Sequence, residues 1–168
     1  GSGSFAFAES YLFTTEAFQD YWRALSPGGF LSMEHQVYMP RLVAMVIDAL
    51  TALGVPNPRD HFAVYDLPKL RRNVLLLSKR PLTDEIRSRA YRAMADGRYD
   101  FMRPLVPAPD SLRNRLVNRV ATLGWRAAED SAKINVSPAT DNRPFVAQMG
   151  RWRNLEPGKL AKLTNYAE

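Results

Sequence analysis

A chain of 168 residues with 46% apolar and 24% charged residues can bury a sizeable core in one domain, which excludes a mainly disordered protein. It contains no cysteine, so disulfides and thiolate chemistry are excluded, as suits a reducing compartment. With only His35 and His61 as imidazoles, a zinc site would have to be carboxylate-rich, and no structural metal is expected.

The net charge of +6 is unevenly placed. Seven bases balance seven acids over 1–79, ten face five over 80–126, and five face one over 143–162. Such a basic second half suits an acidic partner or an anionic membrane surface, or forms a solvated arginine-rich helical face. No run reaches the roughly 18 to 20 apolar residues that span a bilayer, and the start lacks the basic and apolar regions of a signal peptide. The chain itself is expected to be soluble, and Gly1-Ser2-Gly3-Ser4 reads equally as a cloning linker or a native loop.

In chain order, Phe18, Tyr21, Trp22 and Leu25 share one helical face, so the spacing predicts a helix over 15–25 packed on a sheet. Pro27-Gly28-Gly29 ends it. Phe30-Leu31-Ser32-Met33 then opens a strand over 30–36 with little polar alternation, expected to be covered on both faces. Pro40 stands where a first-turn proline belongs, followed by Leu42, Val43, Val46, Ile47, Leu50 and Leu53 at helical spacing and by Gly54 beyond the end. After the break at Pro56-Asn57-Pro58, His61 to Tyr65 and Asn73 to Ser78 read as strands whose short connection over 66–71 makes them antiparallel neighbours.

Thr83 is placed to cap a helix reaching about Asp96, with Ile86, Ala90 and Met94 inward and Gly97 at the exit. The proline-containing stretch 99–109 reads as an extended surface linker. Asp110 is placed to cap a further helix with Leu112, Leu116, Val117, Val120 and Leu123 inward and Gly124 as terminator. No internal repeat or low-complexity tract is present.

The segment Ala8-Glu9-Ser10-Tyr11-Leu12-Phe13, leading into a helix that ends in Pro27-Gly28-Gly29 before a strand, resembles the second half of the spermidine synthase family. These are aminopropyltransferases built on the methyltransferase-type Rossmann fold, and the family's Ala-Glu-Ser-x-Leu-Phe pattern appears here with Tyr11 as the residue before the leucine. The strand Leu75-Leu76-Leu77-Ser78-Lys79 looks like the buried Ser-Lys strand of that family's closing hairpin. Pro138-Ala139-Thr140-Asp141-Asn142-Arg143-Pro144-Phe145 looks like the Ala-Thr-Asp-Asp-Arg-Pro-Phe signature of a bacterial, membrane-associated subgroup, with Asn142 in place of the second aspartate.

The resemblance implies an α/β chain: the C-terminal half of a methyltransferase-like Rossmann sheet, a parallel strand plus an antiparallel hairpin, with added C-terminal helices. It divides the chain into 1–79 for that half-domain, 80–126 for a helical extension and 127–168 for a loop-rich basic tail bearing the second motif. The fold's nucleoside-binding glycine loop and ribose-holding acid are not among these residues, and the family's amine-deprotonating aspartate falls before Ala8. The chain is therefore expected to hold no cofactor, to be inactive alone, and to need a missing N-terminal half. Decarboxylated S-adenosylmethionine or S-adenosylmethionine would be the co-substrate of the intact protein, and a diverged binding or regulatory domain, or a methyltransferase on another substrate, is the alternative.

Glu9 and Tyr11 would border a channel for a polyamine or other small amine, a flexible cation that needs carboxylates and aromatic faces. Phe13 would line it or anchor the core. Glu34 and Gln36 fall on one face at the carboxyl end of the central strand, where open α/β sheets place ligand groups, and exchange the glutamine and glutamate of the family's Gln-Gly-Glu stretch. His35 points the other way, as a structural or surface histidine. Tyr65 and Asp66 end the next strand. Asp141 and Arg143 form either a functional pair or a purely architectural turn.

The resemblance further implies a homodimer and a cytoplasmic setting, as the cytosolic domain of an integral membrane protein whose basic tail lies against the membrane. Nothing supports nucleic acid beyond arginine content, since neither an aromatic-rich sheet motif nor a helix-turn-helix is present.

Overall fold

The computed structural model describes residues 11–35, 38–97, 102–107 and 109–144. Glu9, Gln36 and the part of the basic tail from Phe145 on lie outside them, as do the side chains of His35 and Met94. The described residues form a mixed α/β unit around one four-stranded sheet.

Helix α1, Thr15–Ala24, starts where Thr14 Oγ1 accepts the Ala17 N–H at 3.1 Å. It buries Phe18 and Trp22, as their spacing requires. The turn after it needs a glycine at position 29, because a Cβ there would stand 2.9 Å from Ser26 Oγ and 3.2 Å from the Ser26 backbone. Strand β1, Phe30–His35, follows. Helix α2, Met39–Ala52, carries Pro40 in its first turn and ends at Leu53, with Gly54 at φ +68°. Every residue from Met39 to Val46 is buried, because α2 is enclosed by the sheet, by α1 and by the C-terminal helices.

Strand β2, Phe62–Leu67, enters from a 3-10 turn over Pro58–His61. It connects through a second 3-10 turn, Pro68–Leu70, to β3, Arg72–Ser78. As their short connection predicts, β2 and β3 pair antiparallel. Helix α3, Asp84–Asp96, is capped by Thr83, whose Oγ1 accepts the Ile86 N–H. Strand β4, Arg103–Val106, precedes a 3-10 turn over Asp110–Leu112, then α4, Leu116–Leu123, and α5, Trp125–Glu129.

The structure corrects four expectations. First, no two adjacent strands among the described residues are parallel. The order is β1-β3-β2-β4 with every pair antiparallel. β1 and β2 do run the same way, but β3 fills the gap between them, and its Leu75 and Leu77 on one face with Val74 and Leu76 on the other suit an interior strand. Second, β1 is an edge strand covered on one face only: Leu31 and Met33 pack on the core, while Phe30 is 67% exposed and Ser32 and Glu34 are also exposed.

Third, the expected surface linker contains β4, an edge strand on β2 with Leu105 and Val106 buried. Its prolines are tolerated because edge strands and bulges need fewer backbone donors. Fourth, Leu123 is 61% exposed, because α4 does not begin until Leu116 and its last turn has rotated off the core, and Ile86 is 42% exposed.

Candidate functional site

The entry of α1 at residues 14–16 and the turn after Ala139 stand about 125 residues apart in sequence and meet in space. Thr14 is fully buried, and its hydroxyl, besides capping α1, donates to Asp141 Oδ1 at 2.7 Å. The Thr15 N–H donates to Ala139 O at 2.9 Å, and Thr15 Oγ1 donates to the same carbonyl at 3.2 Å. In return the Asp141 N–H donates to Glu16 Oε2 at 3.1 Å. One short helix entry and one turn thus exchange four hydrogen bonds.

Local chemistry shapes each partner. Residues 140–143 close a turn in which the Arg143 N–H donates to Thr140 O at 2.8 Å, as Asp-Asn at the centre of a turn favours. Beneath it Asn135 Oδ1 accepts both the N–H and the hydroxyl of Ser137, and the Arg41 Nε–H donates to Ser137 O at 2.8 Å. Arg41 sits in the first turn of α2, 4% exposed, and burial pushes its guanidinium below its ordinary pKa. On the other side the Tyr21 hydroxyl donates to Leu12 O at 3.1 Å, folding 11–13 back over α1, and burial raises its pKa.

The result is a corner at the N-terminus of α1 that carries two carboxylates, Glu16 and exposed Asp141; Tyr11 and Leu12, also exposed, precede it in the chain. Carboxylates near a helix N-terminus are favoured there by the positive end of the helix dipole. Carboxylates with an aromatic face are also what an ammonium group binds. Phe13 points the other way, 7% exposed within the core.

The remaining candidates are placed elsewhere. Glu34 lies on the bare face of β1 and pairs with Arg72 at 3.0 Å, both partly exposed. Tyr65 lies on that same face, one strand beyond Val74, since Glu34 and Tyr65 both stand opposite Val74. It is covered, however: 2% exposed, with its hydroxyl donating to Arg87 O of α3 at 3.3 Å. Burial raises the Tyr65 pKa against the smaller opposing effect of the Arg87 charge. Asp66 alternates to the opposite face. Arg143 is exposed at the turn, and Glu9 and Gln36 lie outside the described residues.

A second polar knot joins the Ser-Lys end of β3 to α1. Lys79 Nζ donates to Trp22 O at 2.6 Å and lies 4.7 Å from the Trp22 ring centre. His61 meets that ring edge-on at 5.1 Å while its Nδ1 bonds Ser78 O at 3.1 Å. His61 is thereby a buried structural histidine, 6% exposed. No cluster of three metal-ligating side chains occurs among the described residues, and no helix among them is long and apolar enough to cross a membrane.

The sequence reading missed Thr14, Glu16, Arg41 and Ser137 as members of the corner. Arg41 had a signal, an arginine directly after the first-turn proline of the most apolar helix. The others look like ordinary capping and loop residues until the chain is folded. No protein-family model, no curated protein and no solved structure matches the chain.

Proposed function

We propose that this chain carries the C-terminal half of a spermidine synthase-like aminopropyltransferase and that the corner between Thr14 and Asp141 contributes to its amine site. The observation that carries the reading is the Thr14 to Asp141 hydrogen bond: the helix entry that directly follows the first resembling segment meets the second. The strand directions support it, because β1 and β2 run one way and β3, the last of the three, runs opposite. That is the ending implied for a methyltransferase-type sheet. The exposed face of β1 and, among the described residues, its unpaired outer edge fit a sheet that continues into a further half, where the nucleoside co-substrate would bind.

In this reading the intact protein orients an amine and decarboxylated S-adenosylmethionine. The amine nitrogen would give its proton to the aspartate that the resemblance places before Ala8 and attack the propyl carbon attached to sulfur, the carbon–sulfur bond breaking as 5′-methylthioadenosine leaves. Asp141 and Glu16 would hold a distal ammonium group of the acceptor against the Tyr11 ring. The protein would be cytoplasmic, at the membrane if its basic tail meets the bilayer surface, and the dimer expected of the family would form in the intact protein.

The test uses the native full-length polypeptide, isolated with an antibody to this chain and given putrescine with either nucleoside. Release of 5′-methylthioadenosine is expected, with Asp141→Asn raising the KM for the amine about tenfold while leaving the melting temperature unchanged, since Asn Oδ1 still accepts from Thr14. Release of S-adenosylhomocysteine from S-adenosylmethionine would assign methyl transfer instead. If neither nucleoside product is released, the enzyme reading is overturned in favour of a binding domain.

A further inference from the structure

A cavity of about 540 Å³ opens where β4, the 3-10 turn at Pro58–His61 and α4 converge. That is within the roughly 300–1,000 Å³ of small-molecule sites. Its wall is apolar, built from Phe62, Val106 and Leu123, and three arginines, Arg59, Arg113 and Arg119, also line it. Among the described residues no acidic side chain lines it. The three cations come from three separate elements, so the grouping is a product of the fold and not of a run along one helix face.

Each arginine is held by part of its guanidinium or by a surface partner. The Arg59 Nε–H donates to Ala121 O and Arg119 Nη2 donates to Ser131 Oγ. Arg113 pairs with Asp110 at 2.6 Å, both largely exposed, a contact that solvent screens and an incoming anion can replace. Beneath them Asn118 is 4% exposed with its Nδ2 donating to Leu112 O, which fixes the turn that carries Arg113. The floor is firm, since Phe62 and Val120 belong to the main core.

We propose that this cavity binds a small free amphiphile consisting of a phosphate group on an apolar body. Guanidinium groups match phosphate oxygens in charge and geometry, and the Phe62, Val106 and Leu123 wall would take up the apolar part. The site shares no residue with the Thr14 to Asp141 corner, takes ligands of opposite charge, and stands whether or not the aminopropyltransferase reading holds.

The probe is n-octyl phosphate below its micelle concentration, titrated into the full chain by calorimetry and followed by phosphorus NMR. Saturable binding weakened by added salt is expected, tighter than that of inorganic phosphate and absent for octylammonium. Arg113→Gln should weaken it about fivefold to tenfold and Leu123→Asp at least tenfold, by removing wall and adding like charge. Both positions are exposed, so unchanged melting curves will show the variants folded, and Arg89→Gln, on the outer face of α3, should bind as the parent does. The proposal falls if the parent chain does not bind, if both variants bind as well as the parent, or if octylammonium competes. It falls too if the chain sediments with phosphatidic acid vesicles but ignores the monomer, since the anion is then met by a surface and not by this cavity.

Discussion

The two faces of the sheet are finished to different degrees. One face carries Leu31, Met33, Phe62, Val64, Leu75 and Leu77 against α2 and continues into the large core shared by α1, α4 and α5. The other is covered only over β2 and β3, where Ala63, Tyr65 and Leu67 meet Leu82 and Met102. Over β1 that second face stops, leaving Phe30, Ser32 and Glu34 exposed along the outermost strand. The first face therefore accounts for the stability of the unit, and the second marks where a neighbouring body would add to it.

The largest expected effect tests the finished face. Leu77 is fully buried against that core, so Leu77→Ala should cost about 2–5 kcal/mol in urea unfolding, from lost transfer energy plus a cavity. Its strand neighbour Leu76, on the half-finished face and only partly buried, should cost clearly less when cut to alanine. Equal costs would erase the distinction between the faces.

Next comes the corner that ties the chain's beginning to its last described turn. Thr14→Ala removes the α1 cap and the donor to Asp141 together, for an expected loss of about 1–2 kcal/mol. Thr14→Ser should restore most of it, because the hydroxyl and not the methyl makes both bonds. A full loss in the serine variant would show that packing around the methyl, not the clasp, holds the corner.

A smaller, pH-dependent effect belongs to the finished side. Asp48 of α2 accepts the Trp125 indole N–H at 3.1–3.2 Å. Burial raises its pKa, opposed by that bond and by the Arg126 charge. A raised carboxyl binds its proton more tightly folded than unfolded, so its contribution to stability falls as pH rises from the ordinary aspartate range through the folded pKa. Asp48→Asn keeps an acceptor for Trp125 and cannot ionise. The difference in stability between variant and parent should therefore shift in the variant's favour across that window, read from melts between pH 3 and 7; a difference independent of pH would refute the assignment.

Much of the finished face was legible in the sequence, because its signals are local. Pro40 and Gly54 bracket α2, the spacing of Phe18 and Trp22 marks α1, and the 66–71 connection makes β2 and β3 neighbours. What was not legible depends on pairing at a distance. The apolar run at β1 reads as a strand covered twice, yet Phe30 is bare, since burial is decided by what lies beside and above the strand. The prolines around β4 suggested a linker because nothing local shows that β2 has an edge to offer. Asp141 and Arg143 were visible as a motif, but that Thr14 and Glu16 meet Asp141 is a long-range contact with no local signal.

The smallest expected effect concerns the unfinished face. Phe30 stands at the start of an edge strand, 67% exposed, so burial contributes little to its place in the isolated chain. Phe30→Ser should change the unfolding free energy by no more than about 0.5 kcal/mol. Under the proposed half-domain reading the same substitution in the native polypeptide should matter more, because a phenylalanine covered by a second body loses about 3 kcal/mol or more on truncation. The contrast between the two measurements, not either alone, tests whether this face is an interface. Equal small effects in both settings would mean that Phe30 stays in water throughout, and that the sheet ends at β1 because nothing is built upon it.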